Sequence, residues 1–282
     1  MKVIEELSRI ELGTMIIREL MAECDIHHKT KHREINGHID CCQCSEDKSQ
    51  LANTRRLETD KARMRVALVN KMKSKGVSAN MGCFSAWQYN EPKAAEQHAK
   101  IIQLQKYSKS VNSCSPNLVI FGRTGAGKTM LANAVAINHY LEEEKSLPDE
   151  FNSYNQQDFY DHTCEMITSF DIAVQAKLHW GNYQMSEHDY IKELVANKLL
   201  IIDDLGAGDG YIKDRERIAQ IVTLRHKRAP TMITTNMDIN GLREYLGDRA
   251  WDRLQQNLLV MSCDWESYRA KTADIRIVGA AE

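Results

Sequence analysis

The chain has 282 residues, of which 43% are hydrophobic and 27% are charged, and its formal net charge at pH 7 is -2. This composition is typical of a folded globular protein and excludes disordered and fibrous classes. No apolar run approaches the ~18 residues needed to span a membrane, so we expect no membrane partner. The first residues include acidic side chains and no apolar core segment, which argues against a secretory signal and favours a cytoplasmic protein.

The charge is unevenly distributed along the chain. Residues 1–110 hold 19 Lys and Arg against 14 Asp and Glu, a balance of +5, and the remainder holds 18 against 25, a balance of -7. Within the first part, residues 48–75 carry nine bases and only two acids. Such a segment can meet nucleic acid or an acidic protein surface.

Two helices are predicted in the N-terminal part. Residues 1–23 carry apolar side chains broadly at helical spacing, which predicts a short amphipathic helix. Residues 48–75 contain no Gly or Pro, and their apolar residues recur at three- and four-residue steps, so we expect a basic amphipathic helix that stops at Gly76.

A cluster of cysteine and histidine lies between these segments. Cys24 and His27 form a Cys-x-x-His pair, and Cys41 and Cys44 form a Cys-x-x-Cys pair. Two residues at this spacing on a tight turn can both point at one metal ion, so the four residues predict a tetrahedral, structural Zn²⁺ site. The alternative is a set of buried or idle thiols. The close competitors as ligands are His28, His38 and Cys42.

An irregular segment, residues 77–92, follows the basic helix and contains Phe84, Trp87 and Tyr89. We interpret it as a linker whose aromatic residues anchor it on the next domain, in preference to stacking on nucleic-acid bases. A helix is predicted over residues 94–107.

From Asn117 onward the sequence predicts an α/β fold. Residues 118–121 read as an apolar strand, a Gly-rich turn follows, and a helix is expected from Lys128 to about Tyr140. Two further strand-like runs, residues 199–202 and 231–235, each follow helical sequence. Such alternation predicts a parallel sheet flanked by helices.

The Gly-rich turn is a complete match to the phosphate-binding pattern Gly-x-x-x-x-Gly-Lys-Ser/Thr. It reads Gly122-Arg123-Thr124-Gly125-Ala126-Gly127-Lys128-Thr129 and lies between a predicted strand and a predicted helix. Backbone N–H groups of such a loop surround phosphate oxygens, and the helix N-terminus adds its dipole. We therefore predict an ATP site in which Lys128 reaches the terminal phosphates and Thr129 ligates Mg²⁺.

Polar residues follow the other predicted strands. Asp203 and Asp204 end the 199–202 strand, where an ATPase needs carboxylates to hold Mg²⁺ and position water. We assign Asp203 to Mg²⁺. We assign Asp204 to water activation, and its short side chain predicts slow hydrolysis; its alternative role is to start a turn. Asn236 is placed to sense the γ-phosphate or to cap a turn.

Arg249 and Arg253 lie one helical turn apart. Arginine stabilises charge on a transferring phosphoryl group, often from a neighbouring subunit. Taken alone, the spacing of these two arginines is more typical of a solvent-exposed helix face that forms salt bridges.

Together these motifs resemble the DnaC-type replicative helicase loaders of the AAA+ class, which are similar to DnaI and IstB. The resemblance covers roughly residues 77–282 and rests on residues 122–129, 199–206, 234–236, 247–254 and 264–269. It implies an ATPase that binds a DnaB-type replicative helicase, forms a homo-oligomeric ring or spiral with ATP, and delivers the helicase to single-stranded DNA. The resemblance implies that Asn236 is the first sensor of the γ-phosphate. It places Arg249 and Arg253 in an arginine-finger region that acts in trans, on the nucleotide of a neighbouring subunit, and puts Arg269 near the nucleotide.

The expected architecture is an AAA+ P-loop domain over residues 111–282, a linker with its entry helix over 77–110, and a small helical, zinc-binding, helicase-docking domain over 1–76. The resemblance also implies that some aromatic residues between the ATPase motifs face single-stranded DNA. The candidates are Tyr154, Phe159, Tyr160 and Phe170.

Two other functions compete with the loader. An IstB-type helper ATPase of transposition shares the same motor motifs, and the zinc cluster argues for the loader. The second competing function is that of a zinc-dependent regulator that binds nucleic acid and uses ATP only as a switch. This function predicts that residues 1–76 alone bind duplex DNA tightly.

Overall fold

The computed structural model describes residues 3–12, 15–79, 83–89, 93–146, 162–178, 185–206 and 212–271. The chain forms two compact units, Met1–Arg65 and Val66–Glu282. The division falls inside a long helix, so the predicted domain boundaries at residues 76 and 110 stay a prediction.

The first unit contains a four-stranded antiparallel sheet in the order β1-β2-β3-β4. The strands are β1 (Val3–Leu12), β2 (Met15–Cys24), β3 (His28–Ile35) and β4 (His38–Cys41). Helix α1 (Cys42–Ser74) follows at once and runs into the second unit.

The helix predicted over residues 1–23 is wrong, because this segment forms β1 and β2. Leu20 and Ala22 are buried and alternate along β2, which is the two-residue period of a strand. Strand β2 pairs on both edges, with Arg18 opposite Arg9 of β1 and Glu34 of β3. The N-terminal unit is therefore built from a sheet and a helix rather than from helices alone.

The predicted basic helix is confirmed as part of α1. Its basic side chains from Lys48 to Arg65 are exposed, whereas Leu68 and Met72 near its end are buried in the core of the second unit. The helix stops at Ser74, and Gly76 follows with a φ of +75°. A Cβ at Gly76 would lie 1.9 Å from the backbone oxygen of Met166, so this close approach requires glycine.

The second unit contains a five-stranded sheet in the order β6-β7-β8-β5-β9, and all of its described pairings are parallel. Its strands are β5 (Asn117–Gly122), β6 (Cys164–Thr168), β7 (Leu199–Leu205), β8 (Thr231–Thr235) and β9 (Leu258–Cys263). The described helices are α2 (Ala94–Lys109), α3 (Lys128–Lys145), α4 (Ser169–Leu178), α5 (Glu187–Ala196), α6 (Ile212–Arg225), α7 (Ile239–Leu246), α8 (Asp248–Gln255) and α9 (Tyr268–Lys271). The strands and helices predicted from residue 94 onward are confirmed.

Two apolar cores lie on opposite faces of this sheet, because neighbouring strand residues point to opposite sides. Ile120 and Ile201 belong to the core formed with α2 and α3, whereas Val119 and Ile202 belong to the core formed with α4 to α8. Each such side chain contributes roughly 1.5–3 kcal/mol through burial. None of the helices in the described part of the chain combines the length and apolarity needed to cross a membrane.

The segment after α1 is tied to the sheet and to α3. Lys75 accepts a backbone hydrogen bond from Met166 at 2.9 Å, and Asn133 of α3 exchanges two hydrogen bonds with the backbone of Ser78. Phe84, in a short 3₁₀ helix (Phe84–Ala86), and Trp87 are both buried in the core beside α3. The predicted anchoring of the linker on the ATPase domain is confirmed for these two aromatic residues.

Candidate nucleotide and metal sites

The predicted phosphate-binding loop connects β5 to α3, as its strand–loop–helix context requires. Gly125 and Gly127 both have a positive φ, +81° and +87°. A Cβ at Gly125 would lie 2.0 Å from the Oγ of Ser267, and one at Gly127 would lie 2.7 Å from the ring of Trp87. Only glycine therefore fits at these two positions of the turn. Backbone N–H groups of the loop, near the N-terminus of α3, can bind an anion.

A cavity of about 500 Å³ opens beside this loop, a size typical of small-molecule sites. The loop, the ends of two strands, the linker and α9 all contribute to its lining. The lining residues are Ala86, Trp87, Gln88, Thr124, Gly125, Gly127, Lys128, Thr129, Met130, Asp204, Asn236, Tyr268 and Arg269. The cavity therefore brings together side chains predicted from four separate motifs.

The polar ends of β7 and β8 meet Lys128. The Nζ of Lys128 donates to the Oδ1 of Asn236 at 2.6 Å, and the Nδ2 of Asn236 donates to the Oδ1 of Asp204 at 3.4 Å. Strands β7 and β8 are neighbours in the sheet, so their carboxyl ends place these groups at one edge. Asn236 thus contacts both the lysine predicted to bind phosphate and the carboxylate predicted to activate water.

Asp203 is buried and accepts a hydrogen bond from the hydroxyl of Thr234. Burial raises the pKa of Asp203, and hydrogen bonds from Thr234 and Thr129 act in the opposite direction. The last contact brings together the two predicted Mg²⁺ residues, and a hydroxyl beside a carboxylate suits this hard cation. Burial also lowers the pKa of Lys128.

Asp204 has a left-handed backbone conformation, with a φ of +52°. The pairing of β7 with β8 shifts register between Ile202 and Leu205, which marks a bulge at this position. The N–H of Asp204 donates to the Oγ1 of Thr234 at 2.9 Å. Bulges re-aim side chains at active sites, and here the bulge brings Asp204 to the cavity.

The predicted arginines divide into two groups. Arg269 lines the cavity. Arg249 and Arg253 of α8 do not line it; Arg249 is exposed and Arg253 is half-buried. Neither residue forms an ion pair within the described ranges. In the described part of the chain, the pair therefore does not contribute to the cavity.

Residues 264–269 support the loop, a role that sequence reasoning did not assign. The Nε1 of Trp265 donates to the backbone oxygen of Ala126, and the backbone N–H of Tyr268 donates to that of Gly125, both at 2.9 Å. These contacts join residues more than 130 positions apart, so no local pattern could have revealed them.

The predicted zinc ligands also come together. One ligand atom from each of Cys24, His27, Cys41 and Cys44 lies within 4.8 Å of the others, and the Sγ atoms of Cys24 and Cys44 are 3.5 Å apart. Tetrahedral zinc with Zn–S bonds of about 2.3 Å separates two sulfurs by about 3.8 Å, so three thiols and one imidazole fit this ion. The competing residues, His28, His38 and Cys42, do not join the cluster.

Two thiols of this cluster, those of Cys24 and Cys44, have shifted pKa values. Hydrogen bonds from the backbone of His27 and Ile26 lower the pKa of Cys24 to about 6. Its hydrogen bond with Cys24 raises the pKa of Cys44 to about 12. The lowered pKa of Cys24 favours its thiolate, which is the form of cysteine that binds a metal ion.

Asp47 is a further residue of this cluster that sequence reasoning missed. Its Oδ2 lies 2.9 Å from the Nε2 of His27, while the Nδ1 of His27 faces the three sulfurs. A carboxylate on the outer nitrogen fixes the tautomer and orientation of a metal-binding imidazole. The available signal was spacing, because Asp47 follows Cys44 by three residues on α1 and so shares its helix face.

No protein-family model matches the chain. A protein named as the ATP-binding protein of insertion sequence IS232, from Bacillus thuringiensis subsp. berliner, is 24% identical over 160 residues. The match covers 55% of this chain and 56% of that protein, so the chain matches about half the length of this curated relative.

Among solved structures, the crystal structure of the DnaC helicase loader matches with a TM-score of 0.50 and 17% identity, covering 64% of this chain and 95% of that one. The crystal structure of DnaI gives a TM-score of 0.47 and 15% identity, with coverage of 67% and 90%. The second unit has an AAA+ fold. The fold predicted for the AAA+ unit and its structural resemblance to DnaC are thus confirmed.

The DNA-facing aromatic residues were expected between the motifs of the AAA+ unit. Tyr154, Phe159 and Tyr160 lie outside the described residues. Phe170 is the second residue of α4 and is 61% exposed. Its contact with DNA stays a prediction.

Proposed function

We propose that this protein is an ATP-dependent loader of the replicative DNA helicase onto single-stranded DNA during replication initiation. The observation that carries the proposal is the Cys₃His cluster in the first unit, which also carries the exposed basic side chains of α1 and precedes the AAA+ unit in the sequence. The match to the DnaC fold supports the motor part of the proposal.

In this proposal the AAA+ unit binds and slowly hydrolyses ATP. Residues 122–129 hold the phosphates, with Lys128 on the terminal ones, and Thr129 and Asp203 hold Mg²⁺, which supplies charge neutralisation at the phosphates when bound. Asp204 orients and deprotonates the attacking water, and Asn236 senses the γ-phosphate through its contacts with Lys128 and Asp204. Arg269 contributes positive charge at the cavity.

The same proposal assigns the partners. Arg249 and Arg253 act on the ATP of a neighbouring subunit, because they do not line the cavity of their own subunit, and the active form is a ring or spiral assembled with ATP. Residues 1–76, held by Zn²⁺ on Cys24, His27, Cys41 and Cys44, dock on a DnaB-type helicase. We place this activity in the cytoplasm.

The test is the mass of the species that forms when the full chain is mixed with the replicative helicase of the same host and ATP or a slowly hydrolysed analogue. We expect a stable complex that Cys41→Ser weakens, because the variant removes one zinc ligand. Cys114→Ser is the matched control, since this exposed cysteine lies outside the cluster. Absence of a complex with every helicase of the host would overturn the proposal.

An IstB-like helper ATPase of DNA transposition is the second candidate. The sequence match to the IS232 protein favours it. It predicts that the protein stimulates a DNA transposase and has no effect on helicase binding to DNA. Measuring both activities with one preparation separates the two candidates.

A further inference from the structure

Helix α1 contains a long stretch that the rest of the described chain leaves uncovered. Every residue from Ser45 to Arg63 is exposed, and the buried residues of α1, Leu68 and Met72, lie beyond this stretch. Helices in proteins gain most of their stability by packing one face against another element. Roughly 28 Å of α1, at 1.5 Å per residue, has no such packing, so this part of the helix is available to a partner.

The charges of this stretch are sorted by helix face. At 3.6 residues per turn, four basic side chains fall within an arc of about 100° around the helix axis. We call this arc the basic stripe, and its residues are Lys48, Ala52, Arg55, Arg56, Thr59 and Arg63. The four acids of the same stretch all lie outside the arc; they are Glu46, Asp47, Glu58 and Asp60. One face of the helix therefore carries only positive charge.

The basic side chains of the stripe are free to bind an anion. Lys48 and Arg55 form no ion pair with any residue in the described ranges. The Arg56 and Arg63 guanidinium groups lie 4.0 and 3.7 Å from the Asp60 carboxylate, and these two side chains are 84% and 76% exposed. Ion pairs this exposed contribute little to stability, so a stronger anionic partner can replace Asp60.

The pattern of charge favours nucleic acid over a protein partner. The stripe runs for roughly 22 Å from Lys48 to Arg63 without an acid on its face. A DNA backbone presents a continuous line of negative charge, whereas protein surfaces usually intersperse charges of both signs. Charge complementarity along the whole stripe is therefore best met by phosphates.

The side chains around the stripe favour duplex DNA over a single strand. Residues 42–74 contain no Phe, Trp or Tyr, whereas proteins bind single strands largely by stacking bases on aromatic side chains. The major groove of B-DNA is about 12 Å wide and admits an α-helix, whose Arg and Lys side chains then reach the flanking phosphates. The small side chains of Ala52 and Thr59 permit a close approach of the helix to the groove.

We propose that the basic stripe of α1 binds duplex DNA, with the helix in the major groove and its four basic side chains on backbone phosphates. Contacts of this kind do not depend on base sequence. The inference gives the first unit a ligand besides the helicase, and it rests neither on helicase docking nor on the ATP site.

The test is the affinity of the full chain for a short fluorescent DNA duplex, measured by anisotropy without ATP or helicase over a series of salt concentrations. Lys48→Gln/Arg55→Gln removes two charges of the stripe, and glutamine keeps a high helix propensity. We expect duplex affinity to fall roughly tenfold or more at about 0.1 M salt. The plot of log affinity against log salt concentration should become shallower by about two, because two phosphate contacts are lost.

Lys61→Gln/Arg65→Gln is the matched control. It also removes one lysine and one arginine, both exposed, from the opposite side of the same helix. Duplex affinity should change by less than about threefold, because the stripe is intact. Zinc content and far-UV circular dichroism of both double variants check that the first unit remains folded.

Three results would overturn the inference. The first is no measurable duplex binding, or an equal loss of affinity in the two double variants, because the stripe would then add nothing beyond net charge. The second is a larger loss for a single strand of the same length than for the duplex in Lys48→Gln/Arg55→Gln, which would assign the stripe to single-stranded DNA. The third is unchanged DNA binding together with a weakened helicase complex, which would assign it to an acidic protein surface.

Discussion

In the proposed ATP site, Lys128 is the residue expected to contact the terminal phosphates. Its ammonium donates to the backbone oxygens of Gly122 and Arg123 at 3.0 Å and to the side chain of Asn236 at 2.6 Å. All three donors are therefore used within the protein. Phosphate oxygens would have to replace at least one of these acceptors, and Asn236 is the acceptor on a side chain that can move.

Lys128→Ala should abolish measurable ATP binding, because it removes the cation that reaches the terminal phosphates. Zinc content should be unchanged, since the cluster belongs to the other unit. Calorimetric titration and metal analysis of one preparation test both statements. Lys106→Ala, at an exposed position on α2, is the control, and retained ATP affinity in Lys128→Ala would show that the loop does not bind phosphate.

Asp47→Asn should weaken zinc binding about 10- to 100-fold, because the carboxylate no longer orients His27. Competition with a chelator measures this loss, and the spectrum of the Co²⁺-substituted protein reports the geometry of the ligands. Asp60→Asn is the control on the same helix, since Asp60 contacts only Arg56 and Arg63 among the described ion pairs. Unchanged chelator competition in Asp47→Asn would show that Asp47 does not support the zinc site.

At the scale of secondary-structure elements, the end of α1 is joined to the edge strand β6. Lys75 bonds Met166 through the backbone and forms an ion pair with Glu165 at 2.9 Å, with both side chains mostly buried. Gly76 allows this approach. The contact lies within the second unit and ties the end of α1 to the sheet whose other strands carry the candidate nucleotide residues.

Gly76→Ala should destabilise the AAA+ unit more than Gly247→Ala does. Both glycines have a φ near +75°, so both substitutions strain the backbone. Only the Cβ at Gly76 meets a backbone atom, whereas that at Gly247 has nothing within 4 Å. We expect the difference in the free energy of unfolding to exceed about 1 kcal/mol. Equal losses in the free energy of unfolding, measured by denaturant titration, would mean that the end of α1 can move to accommodate the added Cβ.

The elements that could be predicted are those whose signal is local. Strands β5, β7 and β8 are buried on both faces and read as unbroken apolar runs, and the phosphate-binding loop and zinc pairs follow from spacing alone. Strands β1 and β2 were not predicted, because their apolar residues also fit helical spacing and their strand conformation depends on the pairing of β1 with β2 and of β2 with β3. Trp87 and residues 264–269 became part of the site only through contacts between distant segments.

At the scale of the whole molecule, α8 is the element expected to act between subunits. Arg253→Ala should lower ATP turnover about a thousandfold, because an arginine finger stabilises the charge of the transition state. Mixing it with Lys128→Ala should restore part of the activity, since a Lys128→Ala subunit still offers its arginine to the ATP of its neighbour. Steady-state ATPase rates measure both effects.

Arg243→Ala is the control for this experiment, because Arg243 is exposed on the adjoining α7 and pairs with Asp248. It should leave turnover unchanged. Full activity of Arg253→Ala alone would refute the arginine-finger role, and failure of the mixture would show that Arg253 does not act in trans.

The central claim is that ATP binding by this protein places a helicase on single-stranded DNA. Circular single-stranded DNA has no ends, so a ring helicase must be opened or assembled around it. The decisive measurement is the amount of the host's replicative helicase that remains on such circles after a high-salt wash. We predict that the protein with ATP raises this amount severalfold and that Lys128→Ala does not. Equal retention with and without the protein would contradict the loader function.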